Sequence, residues 1–133
     1  MCPLHHPNLV RLWGGVWNEG ADKLCIVLEL CSNGSLNDFF ARLVVSGGTV
    51  VFTPVSWDEY GHKLALGSAK GLSYLHHELA EPLIHRDIKP DNVMVDDKHA
   101  ALIADFGEST VFDKQLGDDA LTMSMVGTKP AYF

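Results

Sequence analysis

The sequence predicts a small α+β domain, and three observations carry that prediction. Two β-rich apolar stretches near the N-terminus are separated by a turn cluster. One helix opens on a capping box and keeps an apolar face along its length. Three short strand candidates follow it. The 133 residues are 47% apolar and 20% charged, ordinary for one globular domain and unlike a disordered or fibrous chain. Ten Lys and Arg stand against 17 Asp and Glu, a net charge of −7. That balance argues against wrapping nucleic acid or adhering to anionic lipid. The longest apolar stretch, Leu24 to Leu30, is broken by Glu29 and falls far short of the ~18–20 residues of a membrane span. No basic region followed by an apolar core opens the chain, so no signal peptide is read there. Cys2, Cys25 and Cys31 are odd in number and widely spaced, which fits a reducing compartment. The pairs His5-His6 and His76-His77 point in different directions and do not predict a zinc site.

Leu9 to Val16 alternates loosely and is rich in β-formers, so it reads as a strand. Asn18 to Asp22 is a turn cluster. Leu24 to Leu28 is a short continuous apolar run, the pattern of a buried strand, and the two runs predict an antiparallel hairpin. Cys31-Ser32-Asn33-Gly34 breaks the pattern. Ser35 is placed to cap a short helix, with Asp38 three residues on. Ser46 to Pro54 reads as a loop. Ser56 and Glu59 then form a capping box, with Val55 and Tyr60 as its apolar staple. The helix they open carries Leu64, Ser68, Gly71 or Leu72, and Leu75 on one face and ends near His76-His77. Gly67 and Gly71 weaken it by ~1 kcal/mol each, so close packing against a neighbour is expected there. Leu83-Ile84, Val93 to Val95 and Ala101 to Ile103 are strand candidates, with Asp96 to His99 turning between the last two. From Glu108 to Met125 the periodicity fades and a surface loop is expected.

The chemistry concentrates in His85-Arg86-Asp87-Ile88-Lys89-Pro90-Asp91-Asn92 and in Asp105-Phe106-Gly107. An Asn and an Asp brought together across a hairpin supply hard oxygen ligands, suited to Mg²⁺ shared with phosphates. A further Asp with a nearby Lys suits phosphoryl transfer. The carboxylate orients an attacking hydroxyl and accepts its proton, and the ammonium offsets charge on the moving group.

These two motifs, in this order and spacing, resemble a protein kinase catalytic domain. The resemblance implies an incomplete two-lobe fold. Residues 1–28 would end the small lobe, 29–34 would be the hinge, and 35–133 would run through the large lobe to the activation loop. His6 to Val10 resembles the link from helix C to the fourth strand. The resemblance implies ATP and Mg²⁺, with Asp87 as catalytic base, Lys89 on the γ-phosphate, and Asn92 and Asp105 holding the metal. Leu28 would be the gatekeeper, and Glu29 and Cys31 would offer backbone groups to adenine. Ser35 would lie near the ribose and Met94 under the adenine. Cys25 and Leu28 are equally compatible with plain strand core, and Cys31 with an inert small residue. His85, Phe106 and Leu12 would pack in an apolar column joining the lobes.

Arg86 would pair with a phosphorylated activation loop, for which Thr122, Ser124 and Thr128 are the candidate hydroxyls. Ser124 has the usual phosphosite spacing, and Thr128 resembles the threonine that touches Asp87 and Lys89. Lys89 implies a serine or threonine hydroxyl on a protein substrate, and Gly71 to His76 leans towards the tyrosine-kinase-like branch of serine/threonine kinases. The expected location is cytoplasmic, or the cytoplasmic side of a larger membrane receptor.

The 133 residues contain no G-x-G-x-x-G, no V-A-x-K strand, no helix C Glu and no Ala-Pro-Glu. These are working parts of such an enzyme, so impaired activity is expected of the chain alone. Two other readings compete. One is an inactive kinase-like fragment that binds or regulates. The other is a small-molecule phosphotransferase, which the Arg86 and Lys89-Pro90 pattern disfavours.

Overall fold

A computed structural model describes residues 4–16, 25–44 and 57–112. The elements run β1 (Leu12–Val16), β2 (Cys25–Leu28), α1 (Leu36–Val44), α2 (His62–Ser73), β3 (Leu83–Ile84), β4 (Val93–Val95), β5 (Ala101–Ile103) and β6 (Thr110–Val111). α2 is flanked by wider π turns at Trp57–Gly61 and Tyr74–Glu78. This is the predicted mixed α+β arrangement. The readings at Asn18 to Asp22, Ser46 to Pro54, Val55 and Ser56, and at Thr122, Ser124 and Thr128, lie outside the described residues.

Three antiparallel strand pairs form: β1 with β2, β4 with β5, and β3 with β6. α1 starts as its sequence requires. Ser35 N–H and Oγ–H donate to Asp38 Oδ2 at 3.1 and 2.7 Å, and Asp38 N–H donates back to Ser35 Oγ at 3.1 Å. That reciprocal box satisfies orphan donors at the helix start.

The core forms where α2 crosses β5. Leu9, Leu75 and Ile103 make one buried cluster, and Phe39, Leu64, Val93, Val95 and Ala101 the other. Burying a side chain such as Leu75 or Ile103 contributes ~1.5–3 kcal/mol. The two helix glycines permit the close approach predicted for them. A Cβ on Gly67 would sit 2.9 Å from Asn8 Nδ2, and one on Gly71 would sit 2.8 Å from Asn8 O and 2.9 Å from Ile103 Cδ1. Asn8 Nδ2 donates to Ala101 O at 2.8 Å, Ile103 N to Asn8 O at 2.9 Å, and Val10 N to Ile103 O at 2.9 Å. Residues 8–10 therefore run alongside β5, with a parallel bridge between Leu9 and Ile103.

Four expectations need correction. The first strand begins at Leu12, because Leu9 is taken by Ile103. β2 is not buried: all four of its residues are exposed, and the extensive packing of the ribbon is between its own two strands. Leu12 is 59% exposed and stands outside the cluster that Phe106 joins. The stretch after Glu108 is not all loop, because Thr110–Val111 pairs with Leu83–Ile84.

Candidate active site

The β4–β5 hairpin holds the site at its open end. Pro90 starts a single 3₁₀ turn, Pro90–Asn92, closed by Asn92 N–H donating to Lys89 O at 2.9 Å. Pro suits that first position because its missing N–H would have no partner there. The turn delivers Asn92, buried to 7% exposure, against Asp87. Asn92 Nδ2 donates to Asp87 O at 3.0 Å and to Asp87 Oδ2 at 2.9 Å. Lys89 Nζ reaches the same Oδ2 at 2.8 Å. That hydrogen bond pushes the Lys89 pKa above its ordinary 10.5, with desolvation opposing it and the Asp87, Asp91 and Asp105 charges adding to it. Asp87, Lys89 and Asn92 are thus brought together.

His85 is 1% exposed and works as a scaffold, as expected. Its Nδ1 accepts from Asp87 N at 3.3 Å, and its Nε2 donates to Ala104 O at 2.9 Å. Those partners assign the proton to Nε2. Its ring packs on Phe106 with centroids 5.1 Å apart.

Ala104 N donates to Asn92 O at 2.9 Å, which sets Asp105 one residue beyond Asn92's neighbour across the hairpin. Asp105 is exposed, and its backbone is left-handed, with φ 59°. Arg86 is left-handed too, at φ 71°. Such a conformation costs a non-glycine residue ~1–2 kcal/mol, so surrounding bonds must hold it. At Asp105 they do. Gly107 N donates to Asp105 Oδ1 at 3.3 Å, and Ser109 N and Oγ both donate to Phe106 O, at 3.1 and 2.6 Å.

The donor set fits Mg²⁺. An amide oxygen and a carboxylate are hard ligands, and this ion keeps waters and shares phosphates instead of needing an all-protein cage. Among the described residues no cluster of three or more His, Cys, Asp or Glu could hold a metal by itself.

The residues expected to border the nucleotide fall as follows. Leu28 is 55% exposed. Glu29 N donates to Arg11 O at 2.8 Å, and Cys31 O accepts from Gly34 N at 3.0 Å. Cys31 is buried, and desolvation, then Glu29 and Asp96, push its thiol above the ordinary 9.0. Burial and the raised pKa both favour the less reactive thiol form. Ser35 is 8% exposed, its hydroxyl committed to Asp38, and it bridges to half-buried Met94. Asn33, read in the sequence only as part of a break after the strand, fixes this corner: Asn33 Nδ2 donates to Asp96 O at 2.6 Å and Asn33 N to Val95 O at 3.1 Å. Asn8 was equally unremarked as a clamp. An Asn in a turn is the only signal either carries.

The sequence profile of the protein kinase domain matches residues 1–132. A G-type lectin S-receptor-like serine/threonine-protein kinase of Arabidopsis thaliana is 41% identical over 126 residues, covering 94% of this chain and 14% of that protein. A second G-type lectin S-receptor-like serine/threonine-protein kinase, from Oryza sativa subsp. indica, is 44% identical over 107 residues, 77% of this chain and 11% of that protein. A receptor protein-tyrosine kinase of Arabidopsis thaliana is 35% identical over 125 residues, 94% of this chain and 12% of that protein. The chain therefore spans about an eighth of the length of these curated relatives.

Proposed function

The chain belongs to the protein kinase domain family, and from that premise we propose that it carries the catalytic loop and metal-binding end of an ATP-dependent serine/threonine kinase. The observation that carries the reading is Asp87 Oδ2, engaged by Lys89 Nζ at 2.8 Å and Asn92 Nδ2 at 2.9 Å. Held on that side, the carboxylate can orient a substrate hydroxyl and take its proton as the oxygen attacks the γ-phosphorus. The bond to the β–γ bridging oxygen breaks and ADP leaves. Lys89 offsets charge on the transferring group. Asn92 and Asp105 would hold Mg²⁺, which when bound neutralises phosphate charge. Leu28, Glu29, Cys31, Ser35 and Met94 would border the adenosine, with Glu29 and Cys31 contributing backbone groups. Arg86 would read a phosphate on Thr122, Ser124 or Thr128.

Division of the chain into small lobe (1–28), hinge (29–34) and large lobe (35–133) belongs to the same reading. So does a serine or threonine acceptor, supported by Lys89 and by the names of the two lectin-receptor-like relatives, although other relatives are named tyrosine kinases. Those names also favour a cytoplasmic kinase region of a receptor. No helix among the described residues is long and apolar enough to cross a membrane.

A second reading, a kinase-like binding or regulatory piece, is favoured by the apolar β1–β2 ribbon. Trp13, Ile26 and Leu28 there are 60%, 57% and 55% exposed. One experiment separates the two. The 133-residue chain is titrated with Mg·ATP by thermal shift, and transfer of labelled phosphate to serine, threonine and tyrosine peptides is measured. The expected result is a Mg²⁺-dependent shift lost in Asp105→Asn, with weak serine or threonine labelling abolished by Asp87→Asn. No shift at any concentration favours the regulatory reading, and tyrosine labelling overturns the acceptor assignment.

A further inference from the structure

We propose that Ser109 is a positioning residue for Asp105, and this inference rests on the reading of Asp105 as a metal ligand. Asp105 occupies a left-handed backbone, φ 59°, that an aspartate does not hold unaided. The carbonyls on either side of it are pinned by side chains. Ala104 O accepts from His85 Nε2 at 2.9 Å, and Phe106 O accepts from Ser109 Oγ at 2.6 Å. Ser109 N donates to the same carbonyl at 3.1 Å, so Phe106 O takes two donors from one residue. That closes the turn whose Gly107 N–H reaches Asp105 Oδ1 at 3.3 Å. The turn is crowded: a Cβ on Gly107 would sit 3.2 Å from Asp105 Oδ1.

Ser109 also sits where the turn joins the rest of the fold. Thr110 and Val111 follow it directly and pair with Ile84 and Leu83. Ile84 leads into His85, Arg86 and Asp87. The hydroxyl therefore ties the metal-side carboxylate to the strand pair that launches the catalytic loop. A hydroxyl at this place performs a task that an alanine could not, because the backbone N–H alone leaves the carbonyl's second lone pair without this donor.

The test uses the 133-residue chain, with Ser109→Ala, Ser109→Thr and Asp105→Asn. Two readouts are taken: amide hydrogen exchange at Gly107 and Ser109, and Mn²⁺ binding in the presence of ATP by electron paramagnetic resonance. Ser109→Ala is expected to speed exchange at both amides about fivefold, the factor that goes with one ordinary hydrogen bond. Exchange at Leu102 and Ile103 stays unchanged, and Mn²⁺ binding weakens by a similar factor. Ser109→Thr, which keeps the hydroxyl, restores both. If Asp105→Asn loses Mn²⁺ while Ser109→Ala matches the parent in both readouts, the positioning role is overturned and the metal reading stands. If Asp105→Asn binds Mn²⁺ as the parent does, the metal reading falls, and with it the role of Ser109.

Discussion

Two antiparallel hairpins in this chain have similar strands and opposite fates. The β4–β5 pair buries Val93, Val95, Ala101, Leu102 and Ile103 to 5% exposure or less. The β1–β2 pair is as apolar, yet Ile26, Val27 and Leu28 stay 57%, 49% and 55% exposed. α2 crosses β5, and α1 meets β4 and the turn before it. The ribbon's extensive packing is between its own two strands. An apolar strand states only that burial would be favourable; a partner decides whether it happens.

The largest expected contrast is between isoleucines. Ile103→Ala should cost ~2–5 kcal/mol in urea unfolding, because it empties a filled core position. Ile26→Ala should change stability by under ~0.5 kcal/mol, as an exposed truncation does. Equal losses would mean that the ribbon is packed in solution. A smaller contrast uses glycines. Gly71→Ala gains ~1 kcal/mol of helix propensity but drives a Cβ into Asn8 O and Ile103 Cδ1, an overpacking cost of ~1–3 kcal/mol. A net fall in melting temperature is expected. Gly14→Ala meets nothing within 4 Å and should leave the melting temperature where it was.

The smallest contrast is chemical. Maleimide at neutral pH should label exposed Cys25 before buried Cys31, as read by peptide mass mapping. Burial favours the neutral Cys31 thiol, so its share of stability is full below the ordinary 9.0 and lost as pH rises through its raised value. Its labelling should accelerate over that same range. Equal rates for the two thiols at neutral pH would show that the corner around Cys31 is open.

Local signals made much of this legible. The Ser35–Asp38 box, the helix through Leu64 and Leu75, the β4–β5 turn and the Asp87–Asn92 loop each depend on residues a few positions apart. What the sequence hid is long-range. Thr110 and Val111 are too short a run to announce a strand, and their partners Ile84 and Leu83 lie far back along the chain. Asn8 meets Ala101 from 93 residues away. Nothing local separates β2's apolar run from a buried one. At the site, the identities of Asp87, Lys89, Asn92 and Asp105 were readable, but the bonds from Ser109 to Phe106 were not, because a serine after a glycine turn is ordinary.

The double fastening of the β1–β2 ribbon has a mechanical consequence. On one side, residues 8–10 are hydrogen-bonded to Ile103; on the other, Asn33 and Gly34 are hydrogen-bonded to Val95. A body tethered at one point can swivel in any direction. A body tethered at two can turn only about the line through them. The ribbon is therefore hung like a door on two pins, both set in the β4–β5 hairpin, and the line through them is the axis about which it is freest to turn.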